Sequence, residues 1–261
     1  MASESSRRKK GGGLNLEPLN AGAVSVRWLS LEAADAAHLS RWRDMLDDRE
    51  LQRANSHYFA RDRETFIAAH ALTRAMLSAA TGKPTSAWRY AEGEFGKPHL
   101  APGCPARGLR FNMSHTRGLA ACAIAHCELG VDVESADRST GLDIADSVFA
   151  PEEALLVKSA LPERQRSLFF RLWTLKEAFI KATGEGLRRP LDSFSFALDP
   201  IRIRFHPERN GASHSDDPAA WRFAECSPSR NNHLALAVRC APSWMMRLDA
   251  RAARPEEIAP A

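Results

Sequence analysis

No apolar run in the 261-residue chain approaches the roughly 20 residues that a membrane-spanning helix needs. Residues 1–20 also lack the apolar stretch of a signal peptide, so a soluble, cytoplasmic protein with no membrane partner is expected. Cysteine is scarce: Cys104, Cys122, Cys127, Cys226 and Cys240 are odd in number and contain no CxxC pair. Cys122, Cys127 and nearby His126 hint at a metal, but zinc would want a second ligand pair. Buried free thiols in a reducing compartment are the expectation. Charge of one sign is scarce too. A net charge of +4 and a pI near 8.9 suit anionic ligands in general and do not single out nucleic acid, of which no recognised motif is present. With 44% hydrophobic residues the chain has the material for a core, which excludes wholesale disorder.

What is present falls into two kinds of periodicity. The first twenty or so residues, around SRRKKGGG, read as a flexible tail. A short strand is expected at 24–29, then a helix over 31–47 with Leu39, Trp42, Met45 and Leu46 on one stripe. A second helix, 62–80, carries Phe66, Ala69, Leu72, Ala75, Met76 and Ala79 at helical spacing and stops at Thr81-Gly82-Lys83-Pro84. Strands then dominate. Residues 109–113 alternate, 119–125 form a continuous apolar run suited to a strand buried on both faces, and 130–134 alternate again. Helices are expected at 151–160 and 164–183, and strands at 191–198, 201–205, 221–224 and 234–238, with an exposed loop at 206–219. LTRAMLSAATG from Leu72 echoes LKEAFIKATG from Leu175 once a gap is allowed. Either an α/β half is duplicated, or two Ala-rich helices ending in Thr-Gly look alike by chance.

Asp132 and Glu134 alternate on one strand, so their bases stand roughly 7 Å apart on one face. Like charges that close repel unless a cation lies between them. By themselves, two carboxylates on the exposed face of an edge strand would be ordinary. Glu177 changes the reading. Its helix has a core stripe of Leu168, Leu172, Leu175 and Phe179, yet Phe169, Trp173 and Ile180 crowd the opposite side, where an acidic group needs a partner or a metal. Hard oxygen ligands completed by water suit Mg²⁺, with Mn²⁺ as a substitute. Trp173, Glu177 and Lys181 follow one another at i, i+4, i+8 along one face; the plainer alternative is a Glu177–Lys181 helix pair. A basic group accompanies them: Lys97 in the turn Phe95-Gly96-Lys97-Pro98, and Ser114 and His115 before the turn Thr116-Arg117-Gly118. A hydroxyl, an imidazole and turn amides so placed can hold phosphate oxygens.

Four blocks, FGKPHL, FNMSHTRG, LGVDVE and FRLWTLKEAFIKATGEGL, resemble in order and spacing the 4′-phosphopantetheinyl transferases of the surfactin-synthetase-activating type. The resemblance spans about 24–240, with DxE followed by WxxKEAxxK its most specific part. It implies an α/β (α+β) fold of pseudo-two-fold duplicated halves with the active site between them. The halves are expected at 23–127 and 128–241, with tails at 1–22 and 242–261, in a monomer carrying both halves itself. By the same resemblance Asp132, Glu134 and Glu177 would hold Mg²⁺ against the coenzyme A pyrophosphate, and Lys181 would neutralise charge there. Lys97, Ser114 and His115 would bind the 3′-phosphoadenosine end, with Arg53 and Arg74 as further contacts. Thr116 stands where the family often has a second serine and keeps the hydroxyl.

The expected reaction moves 4′-phosphopantetheine from coenzyme A to a serine of an apo acyl or peptidyl carrier protein, releasing 3′,5′-ADP, with Glu177 as base and Lys181 as charge stabiliser. Two other readings compete. A Mg²⁺-dependent phosphodiesterase or nucleotidyl transferase could use the same carboxylates, and a non-catalytic basic protein could bind nucleic acid through its arginines.

Overall fold

The expected periods become two runs of elements in the same order. The computed structural model describes residues 13–106, 108–137, 142–206 and 216–260. The first run is β1 (Ala23–Ser30), α1 (Ala36–Arg43), α2 (Asp48–Asn55), α3 (Ala60–Thr81), the hairpin β2 (Tyr90–Glu92) and β3 (Pro98–Leu100), then β4 (Arg110–Thr116) and β5 (Leu119–Ala125). The second is β6 (Leu129–Ser135), α4 (Ala145–Val148), α5 (Pro151–Ser159), α6 (Pro162–Thr183), the hairpin β7 (Phe194–Leu198) and β8 (Ile201–Phe205), then β9 (Trp221–Ser229) and β10 (Asn232–Arg239). A last strand, β11 (Arg247–Ala252), follows. The sheets repeat the correspondence. Strands order β11-β1-β5-β4 in one and β6-β10-β9 in the other, so β1-β5-β4 matches β6-β10-β9, antiparallel throughout.

Alternation along the central strands builds three cores. Ala120, Cys122 and Ile124 of β5 face α3, and Ala235 and Ala237 of β10 face α6. Leu119, Ala121 and Ala123 of β5 meet Val131 and Val133 of β6 and Leu234 and Leu236 of β10 in a third core, which joins the two sheets. The two 22-residue helices α3 and α6 end alike, at Gly82 and Gly184. Each glycine takes a left-handed conformation, with φ of 70° and 76°, and donates its N–H back to the helix.

The helix echo is therefore a duplication, and it aligns on the capping glycines with no gap. Arg74 and Lys176 then coincide, and both are buried. Arg74 pairs with Glu50 of α2 at 2.6 Å and donates to the carbonyls of Thr85 and Trp88. Lys176 pairs with Glu153 of α5 at 2.7 Å and donates to those of Leu191 and Phe194. Each half thus ties its short helix, its long helix and the segment after it with one buried ion pair.

Several expectations change. The helix over 31–47 is interrupted: residues 31–33 form a 3₁₀ turn, and Asp35 takes an extended backbone to cap α1. Helix α2 was not foreseen, although Asp47 and Glu50 form a capping box, a signal present in the sequence. The strand expected at 191–198 begins with a 3₁₀ turn, Leu191–Ser193. Most of the loop expected at 206–219 (207–215) lies outside the described residues, as do 1–12 of the N-terminal tail. The remainder of that tail is packed: Leu14 is buried, and the Asn15 carbonyl accepts from Arg27 and Arg251. The C-terminal tail at 242–261 is likewise not a tail. Strand β11 pairs parallel with β1, Arg27 binds Asp249 at 2.6 Å, and buried Ile258 accepts a hydrogen bond from the Trp42 indole. Its charged, half-exposed sequence RLDARA hides an edge strand from any hydrophobic pattern. All five cysteines are free, but only Cys122 is fully buried.

Helix α6 lies directly on β6. A methyl group at Gly130 would stand 2.1 Å from the Ala178 carbonyl oxygen and 2.4 Å from the Ala182 nitrogen. Backbone cannot yield as a flexible side chain does, so Gly130→Ala must push α6 off its sheet. We expect a loss of at least about 3 kcal/mol, at or above the top of the usual overpacking range, measured as a shifted urea midpoint.

Candidate active site

Because α6 rides on Gly130, the side chains on the same face of β6 are trapped beneath it. Val131 and Val133 point into the core between the sheets, and Asp132 is only 4% exposed on the opposite side. It is no solvated edge-strand carboxylate. One turn apart on α6, Glu177 and Lys181 face this surface. The Lys181 ammonium donates to Asp132 Oδ1 at 2.6 Å and to Ser114 Oγ at 2.9 Å. Ser114 in turn donates to Asp132 Oδ1 at 2.8 Å, and Thr116 to Glu134 Oε2 at 3.4 Å. Asp132 Oδ2 is buried and has no hydrogen-bond partner among the described residues.

The electrostatics agree with the crowding. Burial pushes the Glu177 carboxyl above the usual range, nearby Asp132 and Glu134 push it further, and only Lys181 opposes them. Trp173, one turn before Glu177, is half-buried and stacks on Phe169 with ring centroids 6.0 Å apart. Among the described residues, no three His, Cys, Asp or Glu side chains are gathered as a metal site, and Lys181 is the ion-pair partner of Asp132.

Two cavities meet at Lys181. The larger, about 720 Å³, is bounded by Arg53, Phe66, His70, Tyr90, His115 and Lys181; the smaller, about 240 Å³, runs past Phe95, Lys97 and Glu177. A further cavity of about 810 Å³ touches Lys97 and Arg110 but none of the three carboxylates. Its size does not make it the reactive centre.

The residues expected from sequence separate into two groups. Asp132, Glu134, Glu177 and Lys181 are brought together. Arg53 lines the larger cavity, exposed and paired with Glu92 at 3.0 Å. His115 opens to the same cavity, edge-on to Phe66. Close-packed surroundings, then Lys181, His70 and His57, lower its pKa. The ring is therefore neutral near pH 7. Lys97 donates to the Leu129 and Ala182 carbonyls, the latter at the C-terminal end of α6 where a cation is favoured. Burial draws its pKa down to about 8.

Two expected ligand contacts already have protein partners, although Ser114 lines the larger cavity. Arg74 is buried against Glu50, Asp47 and two carbonyls and does not line the cavity. Ser114 has its hydroxyl filled by Asp132, Lys181 and the Val133 N–H. Sequence reading also missed the aromatic wall of the cavity. His70 stacks on Phe66 with centroids 4.1 Å apart and holds Glu50 Oε1 at 2.6 Å. The only signal was the i, i+4 spacing of Phe66 and His70 on a helix already read as core.

The site is thus an acidic trio and a lysine in a duplicated α/β chain, beside a cavity lined by aromatic side chains and by charges of both signs, Arg49, Arg53 and Lys181 against Asp47, Glu50 and Glu92. Comparison with known proteins supplies the assignment. The model of the 4′-phosphopantetheinyl transferase superfamily matches residues 128–238, the second half. The 4′-phosphopantetheinyl transferase HetI of Nostoc sp. is 33% identical, covering 74% of this chain and 78% of its own. A 4′-phosphopantetheinyl transferase of Bacillus subtilis is 33% identical (56% of this chain, 64% of its own), and Sfp of the same species is 30% identical (60% and 69%). The chain belongs to the 4′-phosphopantetheinyl transferase family, and it is a transferase of that type. The phosphodiesterase or nucleotidyl transferase reading finds no support in these relatives. No helix among the described residues is long and apolar enough to cross a membrane.

Burial raises the Glu50 carboxyl, but His70 and Arg74 outweigh it and hold it low, so this triad is structural. Arg74→Ala would strand Glu50 without its guanidinium. We expect a loss of about 3–5 kcal/mol in urea unfolding, whereas Arg53→Ala leaves the midpoint nearly unchanged and raises the KM for coenzyme A.

Proposed function

We propose that the site transfers 4′-phosphopantetheine from coenzyme A to a serine of an apo acyl or peptidyl carrier protein, and that Asp132, Glu134 and Glu177 hold Mg²⁺ for this reaction. The observation that carries the metal assignment is Asp132 Oδ2, buried and unpartnered beside a Glu177 carboxyl raised first by burial and then by its acidic neighbours. A carboxylate oxygen left bare in the interior is costly, and a hard cation is the partner that suits it and its neighbours. Bound there, Mg²⁺ would offset charge on the coenzyme A pyrophosphate.

The chain's own groups do the rest. The aromatic wall of Phe66 and Tyr90 offers faces for the adenine, and Arg53, Lys97 and neutral His115 supply donors for the phosphates. Glu177 takes the proton of the carrier serine as its oxygen attacks the β-phosphorus. The new serine–phosphorus bond forms as the bridging oxygen departs with 3′,5′-ADP. Lys181, released from Asp132, follows the negative charge that builds on that oxygen. Both halves lie in one chain and their interface is filled, which supports action as a monomer. Five unpaired thiols favour a reducing, cytoplasmic setting.

Intact-mass spectrometry tests the reading. An apo carrier protein incubated with this protein, coenzyme A and Mg²⁺ gains the mass of phosphopantetheine, and EDTA abolishes the gain. Glu177→Gln stays folded and loses transfer by at least about 10²-fold, consistent with removal of a general base. Lys181→Ala lowers kcat strongly. Full turnover in a folded Glu177→Gln protein would remove both roles assigned to that residue, and transfer that survives EDTA would remove the metal.

A further inference from the structure

Strand β6 is the edge of its sheet, with β10 on one side only. The Arg239 N–H donates to the Glu128 carbonyl, so by strand alternation Gly130, Asp132 and Glu134 turn their backbone toward β10. Leu129, Val131 and Val133 turn theirs the other way, toward β4. These are buried groups that need partners. No backbone ladder joins β4 to β6; they belong to different sheets. Side chains fill the gap at every second residue of β4. Asn112 Oδ1 accepts from the Val131 N–H at 2.8 Å and Ser114 Oγ accepts from the Val133 N–H at 3.3 Å, while Thr116 continues the row by donating to the Glu134 side chain rather than to β6 backbone. Lys97 supplies the Leu129 carbonyl at the end of the row.

We propose that Asn112, Ser114 and Thr116 form a side-chain ladder that sets the register between the halves and thereby aims Asp132 and Glu134, acting as positioning residues rather than phosphate ligands. The state of Ser114 carries this. A hydroxyl has one donor and two acceptor sites. Ser114 donates to Asp132 and accepts from Lys181 and Val133, which uses all three. It has nothing left for a phosphate, and two of its three bonds go to groups of the reactive centre. Asn112 fixes the backbone one residue before Asp132, and Thr116 orients the second carboxylate. The first half, which carries none of the acidic trio, so contributes the template on which the trio is arranged. The metal part of the inference rests on the function proposed above; the ladder itself does not.

The test uses the full chain with Asn112→Ala, Ser114→Ala, Thr116→Val and the conservative Thr116→Ser. Amide hydrogen exchange read by NMR reports the ladder without any metal. The Val131 amide should exchange at least ~10-fold faster in Asn112→Ala and the Val133 amide in Ser114→Ala, while Gly130 and Asp132 stay protected. Mn²⁺ binding to the free protein, followed by electron paramagnetic resonance, should weaken about 10- to 100-fold in Ser114→Ala and Thr116→Val and recover in Thr116→Ser, as for residues that orient metal ligands. The KM ratio of coenzyme A to 3′-dephospho-coenzyme A should stay at the wild-type value. A rise in KM confined to coenzyme A, with exchange and Mn²⁺ affinity unchanged, would make these residues phosphate ligands and overturn the inference. Faster exchange with unchanged Mn²⁺ affinity and kcat would leave the ladder a mere structural seam and overturn it as well. If the wild-type protein itself binds no Mn²⁺, the metal reading fails. The exchange pattern and kcat then decide the ladder on their own.

Discussion

The closeness of α6 to β6 is the constraint from which the site follows. With the helix backbone seated where a side chain at position 130 would be, the next side chain on that face, Asp132, is buried, and Glu134 beyond it is half-buried. Asp132 is thereby buried against an ammonium and a hydroxyl, and Glu177 is held among carboxylates that raise its pKa. A helix standing a further ångström away would admit water between these groups, and the interactions would weaken toward their surface values. Packing density at one glycine therefore sets the dielectric of the reactive centre.

Duplication explains what each half contributes. Arg74 and Lys176, equivalent by position, make the same kind of buried pair with a glutamate on the preceding short helix, so this tie is a property of the repeated unit. Breaking such a pair leaves a buried charge alone, which is reason enough for both halves to keep it. The reactive residues are not repeated. Aligned on the capping glycines, Ala75 and Ala79 of α3 stand where α6 has Glu177 and Lys181. Helix α3 instead presents Phe66 and His70 to a cavity. One copy became acidic and the other aromatic, and the cavity opens where they meet.

Much of this was legible in the sequence, for reasons that can be named. Strand β5 was readable because it is buried on both faces and so is continuously apolar; β8 was bounded by turn residues; α3 and α6 announced their ends through Thr-Gly. The acidic trio was legible because carboxylates at period two on a strand, met by one on a crowded helix, have few other physical meanings. Strand β11 was not, since a polar edge strand has no hydrophobic period and its partner β1 lies more than 200 residues earlier. Arg74 misled for a related reason. A cation on a helix looks available until Glu50, more than six turns away along the chain, is seen to fold against it. For Ser114, the sequence could not show that its hydroxyl is engaged by Asp132, Lys181 and the Val133 N–H.

The charge balance of the centre also orders the events of binding. Three carboxylates lie around the Lys181 ammonium; Glu177 is raised first by burial and then by Asp132 and Glu134, and Asp132 Oδ2 has no hydrogen-bond partner among the described residues. A pyrophosphate approaching this face meets repulsion from the carboxylates, and the ammonium nearest them, Lys181, is engaged to Asp132 at 2.6 Å. On the proposed reading, Asp132, Glu134 and Glu177 would hold a divalent cation whose charge would offset that repulsion and leave Lys181 available to the anion. Cation and coenzyme A would then favour each other's binding, and linkage would require the coupling to be equal in both directions.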